Sequence, residues 1–305
     1  MGTGNGRAVA LAGAALLTLA LAAPAVAQDA EPDMLARIQD AGVIRMSTDG
    51  LYPPQSELTV EGEYVGFDID VGTEIAKRLG VEIEFVEPAW ELVTAGNWGN
   101  RWDMSVGSMT ITSQRQEVLD FTQPYYYTPA QMATTTDSGI ETLEDLAGKT
   151  VCMGAATTYL DWMSGTLDFG TESPDTAPPE GASATTFGTD RECAQAWGSG
   201  RRDFEGWLTS SVTVQDAIDD GLPIVAVADP VFYEPLAVAF DKGVEDNDSL
   251  VAAVDTIVGE MHADGTLTEL SNKWYGYDLT RRVDETAGMD AVADTEAENA
   301  DESTE

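Results

Sequence analysis

Between Val43 and Val86 the spacing of apolar residues changes from strand-like to helix-like and back, and this limits the folds open to the chain. Val43-Ile44-Arg45-Met46-Ser47 is a short strand candidate, closed by the turn formers Asp49-Gly50 and Pro53-Pro54. From Phe67 to Leu79 the residues Val71, Ile75 and Leu79 recur four apart, so one face of a helix is buried. Glu74 and Arg78 add an i,i+4 ion pair, and Gly80 stops the helix. Val81 to Val86 then alternates as a half-buried strand should. Further strands are predicted around Met104-Ser105-Val106 and Thr150–Met153, the second leading into a helix from about Tyr159 to Met163. Near the end, Leu250, Val254, Ile257 and Met261 keep helical spacing. Gly265 then reads as a C-cap before a last short helix through Leu267, Leu270 and Trp274. Strands alternating with helices imply α/β layers. The Gly- and Pro-rich stretch from Gly170 to Gly188 reads as a surface loop, and no internal repeat is visible.

The two ends read differently from this body. Residues 1–27 carry one positive charge, Arg7, then an apolar run from about Ala8 to Ala23, then the small-residue cleavage pattern Ala25-Val26-Ala27. That is a secretory signal peptide, with the mature chain beginning near Gln28 and located in the periplasm or outside the cell. At the other end, residues 284–305 hold nine acidic residues and neither a basic nor an aromatic one. Such a segment cannot bury enough apolar surface to offset its ordering entropy and reads as a disordered tail. Most of the negative charge nevertheless belongs to the body: 54 Asp and Glu against 15 Lys and Arg give −39 over 305 residues. So acidic a chain lacks the clustered cations that bind nucleic acid or an anionic membrane. One histidine and two cysteines argue against a multi-histidine or thiolate metal site, and no cofactor is expected. Export puts Cys152 and Cys193 in an oxidising compartment, where they form either a disulfide or two separate buried thiols.

No phosphate loop and no GxSxG elbow is present, and the lone His262 falls between Met261 and Ala263 on a predicted helix. One segment carries recognisable chemistry. Gly107 to Arg115, followed by Asp120-Phe121-Thr122-Gln123-Pro124-Tyr125, mixes small polar donors, one arginine and aromatics. An arginine can grip a carboxylate with two parallel hydrogen bonds. Ser108 and Thr110 lie two apart, so in an extended segment they face the same side and could complete a carboxylate cradle. The plainer alternative is a surface ion pair of Arg115 with Glu117 or Asp120.

That run, taken with Thr48–Pro54, Gly66-Phe67-Asp68-Ile69-Asp70, Leu143–Val151 and Met261–Leu267, closely resembles the bacterial extracellular solute-binding proteins of family 3, over roughly residues 37–280. These are the polar amino-acid receptors of ABC importers. The resemblance implies an α/β, two-lobed periplasmic-binding-protein type II clamshell with a ligand cleft between the lobes. The first lobe would comprise residues 37–131 plus 237–280 and the second 132–236, with strands near Gln131–Thr134 and Glu234–Ala237 crossing between them. It further implies that Arg115 binds a ligand α-carboxylate, with Ser108 and Thr110 holding the carboxylate and amino group. Asp49 and Tyr52 would line the first-lobe wall, Trp90 would cover the ligand side chain, and Thr157 and Thr158 would offer donors from the second lobe. The implied partners are an amino acid or a derivative and an ABC permease in the inner membrane, served by a monomer.

The chain departs from the family pattern where many members carry an aspartate for the ligand's amino group. After Gly200-Arg201-Arg202-Asp203 that acid falls on Leu208 or Thr209, and neither is charged, though Thr209 stands among the implied ligand-binding residues. Either the amine is held elsewhere, with Asp49 or a carbonyl at position 108 as candidates, or the ligand lacks a free primary ammonium. Glu205 could compensate only in a different strand register. Gln55, where the family often has Phe, and Trp98 and Trp102, in an unusual insert, also bear on which ligand is bound. Two other functions share the fold: a secreted dehydratase acting on prephenate-like substrates, and a sensory ligand-binding module.

Overall fold

The computed structural model describes residues 1–4, 33–170, 174 and 176–281. The acidic tail, and all of the leader but its first four residues, lie outside that set. The strands are β1 Val43–Ser47, β2 Leu51–Tyr52, β3 Ser56–Leu58, β4 Tyr64–Val65, β5 Glu82–Val86, β6 Met104–Thr110, β7 Leu119–Thr135, β8 Thr150–Gly154, β9 Ser183–Phe187, β10 Gly206–Ser210 and β11 Ile224–Asp241. The α-helices are α1 Met34–Ala41, α2 Phe67–Leu79, α3 Trp90–Thr94, α4 Thr158–Met163, α5 Arg191–Gly198, α6 Ser211–Asp219, α7 Asp248–Ala263 and α8 Thr266–Tyr275.

Eight strands form one mixed sheet in the order β5-β1-β6-β11-β7-β10-β8-β9, and β2, β3 and β4 form a small antiparallel one. Two long strands run through the middle. β7 and β11 pair antiparallel from Leu119 opposite Asp241 to Thr135 opposite Ile224. At one end β11 also pairs with β6, and at the other β7 also pairs with β10, so the same two strands belong to both halves of the molecule.

Each half buries its own apolar side chains. One core gathers Ile44 and Met46 of β1, Val71 and Ile75 of α2, and Val254, Val258 and Met261 of α7. Phe67 packs there against Tyr125, Tyr126 and Tyr275, with ring centroids 4.9–5.9 Å away. Burying these rings stabilises this half, because each aromatic removes a large apolar area from water. The other half holds one cluster around Met132, Val151, Met153, Trp162 and Phe232 and a second around Cys193, Trp197, Phe204 and Trp207. Trp98 and Trp102 belong to a core cluster with Val93, Met109 and Leu119, so the insert that contains them has a packing role.

Two sequence expectations shift. The stretch read as a surface loop contains β9, whose Ser-Ala-Thr-Thr-Phe pairs in parallel with β8 along its whole length. β9 is the last strand of the sheet, and its mostly exposed or half-buried residues give it no strong apolar alternation to detect. Gly265, with φ of 84°, is the hinge residue between α7 and α8, while Asp264 caps α7. Glu74 and Arg78 pair at 2.9 Å as expected, and Arg78 also reaches Asp264.

Cys152 on β8 and Cys193 on α5 form a disulfide that fastens helix to strand inside the second core. Replacing both by serine is expected to lower the unfolding free energy by about 3–4 kcal/mol, the loop-closure entropy of a loop this long. Urea unfolding of the parent with and without reductant, beside the double variant, checks this; equal midpoints in all three would refute it.

Candidate functional site

A cavity of about 470 Å³ lies where the two halves face each other, with β7 and β11 behind it. One wall comes from the turn after β1 (Thr48, Asp49, Tyr52), the segment Glu87–Glu91 with Trp90 opening α3, and the end of β6 with Ser108, Thr110 and Arg115 beyond it. The opposite wall is Gly154, Thr157, Thr158 and Tyr159 after β8, and Gly188, Thr189, Asp190 and Glu192 around the start of α5. This is within the size range of small-molecule sites, about 300–1,000 Å³.

Arg115 is 6% exposed and makes no ion pair with either Glu117 or Asp120. Its guanidinium donates to the Thr110 carbonyl (3.0 Å) and to the Ala156 carbonyl across the cleft (3.1 Å). Trp90 Nε1 donates to the same Ala156 carbonyl at 3.2 Å, and the Trp90 ring stands 5.6 Å from the guanidinium. A guanidinium has five N–H donors, so three remain for another acceptor. Burial lowers its pKa, offset in part by Glu234 and Asp161, and no carboxylate touches it. An arginine held this way is a ready partner for an anion.

Glu234 sits on β11 where that strand passes between the halves, 2% exposed. Its carboxylate accepts from the hydroxyls of Thr110 (2.7 Å), Thr158 and Tyr159 (2.8 Å). Burial pushes its pKa up, and those three hydroxyls together with Arg115 pull it back. Asp190, 7% exposed, accepts from the Gly154 amide at 2.5 Å. That approach needs glycine, since a Cβ at position 154 would lie 2.8 Å from the Asp190 carboxylate. Burial pushes the Asp190 pKa up to about 7, against the Gly154 amide and with help from Glu234 and Asp49. Asp49 accepts from the Leu51 amide (2.8 Å), and its pKa too is raised, mainly by burial and then by Glu87 and Glu192. Tyr52 is raised by burial and by Asp190.

Residues 44–277 match the family model of the bacterial extracellular solute-binding proteins, family 3. The chain belongs to this family. It is similar to the L-cystine-binding protein TcyJ of Escherichia coli K12, 29% identical over 255 residues covering 83% of this chain and 90% of the relative. Among solved structures it resembles an ancestral amino-acid-binding protein described as a precursor of cyclohexadienyl dehydratase (29% identity, TM-score 0.67, 79% of this chain and 99% of that one). It also resembles an ancestral arginine-binding protein bound to arginine (27% identity, TM-score 0.66, 77% and 98%). The fold is therefore the two-lobed type II periplasmic binding fold, and the cavity lies in the cleft of a solute-binding protein.

Within this solute-binding protein, Asp49, Tyr52, Trp90, Ser108, Thr110, Arg115, Thr157 and Thr158 all line the cavity. Their hydroxyls are arranged differently from the expected cradle. Ser108 has φ of 52°, so the strand alternation that would align it with Thr110 breaks. Its hydroxyl lies 2.7 Å from Asp68 and 2.6 Å from the Tyr126 hydroxyl, on the core side. Thr110 and Thr158 are both turned to Glu234. Thr157 caps α4, accepting from the Leu160 amide and donating to the Gly154 carbonyl (2.8 Å). Thr209 is a correction: it is fully buried and absent from the cavity wall, because β10 is covered on both faces. Its hydroxyl is near enough to lower the Asp190 pKa but makes no hydrogen bond of good geometry. Glu205 accepts from the Thr150 amide and does not reach the cavity.

Gln55 is fully buried, its amide 3.0 Å from the Ser210 hydroxyl and 3.3 Å from that of Thr213, which ties the two lobes. With the amide oxygen facing those hydroxyls, its nitrogen reaches the Tyr52 carbonyl at 3.1 Å. The sequence reading missed Asp190, Glu192, Glu87 and Glu234. A carboxylate just before a helix, as Asp190 is, reads as an ordinary N-cap, yet here its side chain makes no capping bond. Glu234 left a stronger trace, a single acid inside the apolar run from Val231 to Phe240.

Asp68, from the family-like GFDID motif, is fully buried and accepts from Ser108 and from the Tyr125 hydroxyl (2.7 Å). Burial raises its pKa to about 7, with both hydroxyls opposing. The folded state thus binds a proton more tightly than the unfolded one, and Asp68 costs stability progressively as pH rises from about 4 to about 7. Asp68→Asn removes this dependence. Relative to the parent, the variant is expected to gain stability across that window, by on the order of 4 kcal/mol, and to gain nothing further above it. Parallel urea titrations at pH 4 to 9 measure the difference, and a difference independent of pH would rule the assignment out.

Proposed function

We propose that this chain is an extracytoplasmic receptor that captures an α-amino acid and delivers it to an ABC permease in the inner membrane. The observation that supports it most is Arg115, buried in the cleft wall with donors to spare and no carboxylate in contact. On this reading the ligand carboxylate meets Arg115 and the amides near Thr157 and Thr158, with Trp90 across the side chain. Asp190 takes the ammonium in place of the absent acid at 208 or 209. A zwitterion needs both charges met once the cleft excludes water, and Arg115 and Asp190 are the two most buried opposite charges in the wall apart from the already satisfied Glu234. The contacts of Arg115 and Trp90 with Ala156, and of Gln55 with Ser210, join the lobes. A ligand that favours the closed arrangement shifts the opening equilibrium toward it, and the permease would recognise that closed shape. The lobes are taken as residues 37–131 plus 237–280 and 132–236. Residues 1–27 direct export, and the mature protein acts as a monomer in the periplasm, without nucleic acid.

A second reading, a secreted dehydratase, draws on one observation: a carboxyl group with a pKa near 7 in the cavity could donate a proton. Against it, the one histidine binds the Pro124 carbonyl outside the cavity. Incubation with prephenate-like substrates and mass spectrometry separates the two: product formation would establish turnover and overturn the receptor assignment.

Arg115→Ala is expected to abolish the ligand-induced rise in melting temperature across a panel of amino acids while the variant still folds cooperatively. Asp190→Asn should weaken binding roughly 10- to 100-fold, the cost of losing a charged hydrogen bond. In the parent, affinity should rise with pH through about 7 as Asp190 ionises, and this dependence should vanish in Asp190→Asn. Isothermal titration at pH 6, 7 and 8 reads all three. Unchanged affinity in Arg115→Ala would refute the carboxylate assignment.

A further inference from the structure

The cavity wall is far more acidic than a simple zwitterion requires. Asp190 accounts for an ammonium and Glu234 is satisfied by three hydroxyls, yet Asp49, Glu87 and Glu192 also line the space. Among the described residues their hydrogen-bond partners are neutral: the Leu51 amide for Asp49, the Gly50 amide and the Tyr64 hydroxyl for Glu87, and the Thr189 amide for Glu192. Among the described residues none of the three forms an ion pair, and Arg115 is the single cation in the wall. In a chain this acidic an exposed glutamate such as Glu87 would by itself mean little. Asp49 and Glu192 are half-buried, however, and come from opposite lobes, so closure brings like charges toward each other. Both Glu87 and Glu192 raise the proton affinity of Asp49, which puts the three within electrostatic reach.

A separate feature points the same way. Ser47, Thr48 and Ser56 belong to the same wall, are 6% exposed or less, and have hydroxyls without a hydrogen-bond partner. Unsatisfied buried hydroxyls beside unpaired carboxylates suit a group rich in N–H donors. A bound metal ion suits the site less well, since among the described residues no three acids, histidines or cysteines converge on a common point.

We infer that the cleft selects a carboxylate ligand whose side chain carries a second cationic group, a basic amino acid, with Asp49, Glu87 and Glu192 as its counter-charge. The inference rests on the amino-acid receptor reading above. The far end of L-cystine pairs its ammonium with a carboxylate and so brings no net positive charge to the acidic wall, which disfavours L-cystine even though a cystine-binding protein is among the similar relatives.

Titration calorimetry with L-arginine, L-lysine, L-citrulline and L-cystine tests it, since citrulline keeps the shape of arginine and loses only its charge. The basic amino acids are expected to bind at least about tenfold more tightly than citrulline or cystine. The double variant Asp49→Asn, Glu192→Gln should bring the arginine-to-citrulline affinity ratio close to one. Urea unfolding confirms that the variant is folded. Citrulline or cystine binding as tightly as both basic amino acids would overturn the selectivity and leave amino-acid capture standing, as would an unchanged arginine-to-citrulline ratio in the double variant. No binding by any of the four would overturn the basic-ligand inference, and no melting-temperature rise across the wider amino-acid panel would overturn amino-acid capture as well.

Discussion

The antiparallel pairing of Leu119–Thr135 with Ile224–Asp241 is the interaction on which the rest of this molecule depends. Both strands pair with neighbours in each lobe, so one continuous eight-stranded sheet joins the lobes. The paired ribbon holds the walls of the cleft in a defined relation. Glu234 lies on that ribbon and gathers one hydroxyl from the first lobe, Thr110, and two from the second, Thr158 and Tyr159. A buried charge that needs donors from both sides favours the arrangement in which both sides are near.

Three fully or nearly fully buried carboxylates show how differently one protein can treat the same group. Asp68 is surrounded by hydroxyls inside one lobe and positions Ser108 and Tyr125. Glu234 has its oxygens occupied by three hydroxyls at the crossing point. Asp190 receives only the Gly154 amide and retains capacity for another donor from the cavity. The number of donors already supplied, rather than depth of burial, separates these acids from one another. Arg115 is the mirror case, a cation bonded only to carbonyls.

Much of the fold was legible because apolar periodicity is a local property. The four-residue spacing of Val71, Ile75 and Leu79 and the alternation after Gly80 match α2 and β5 closely. β9 was missed because a strand at the sheet edge, with few buried residues, leaves little pattern to read. The cavity residues quoted from the family-like motifs were found because motif and position coincide. The hydroxyl directions of Ser108 and Thr110 were not, since the left-handed backbone at Ser108 turns its hydroxyl inward, and Thr209 does not line the cleft cavity.

Sequence by itself determined the α/β alternation, the acidic character of the chain and the candidate arginine, because these follow from composition, spacing and motif. Tertiary structure alone decided that Cys152 meets Cys193, that Asp190 rather than a residue on β10 faces the cleft, and that Asp49, Glu87 and Glu192 share one wall. Those residues are separated by up to 143 positions in the chain, from 49 to 192. Which charges converge on one cavity depends on how strands far apart in sequence pair, and no local pattern records that.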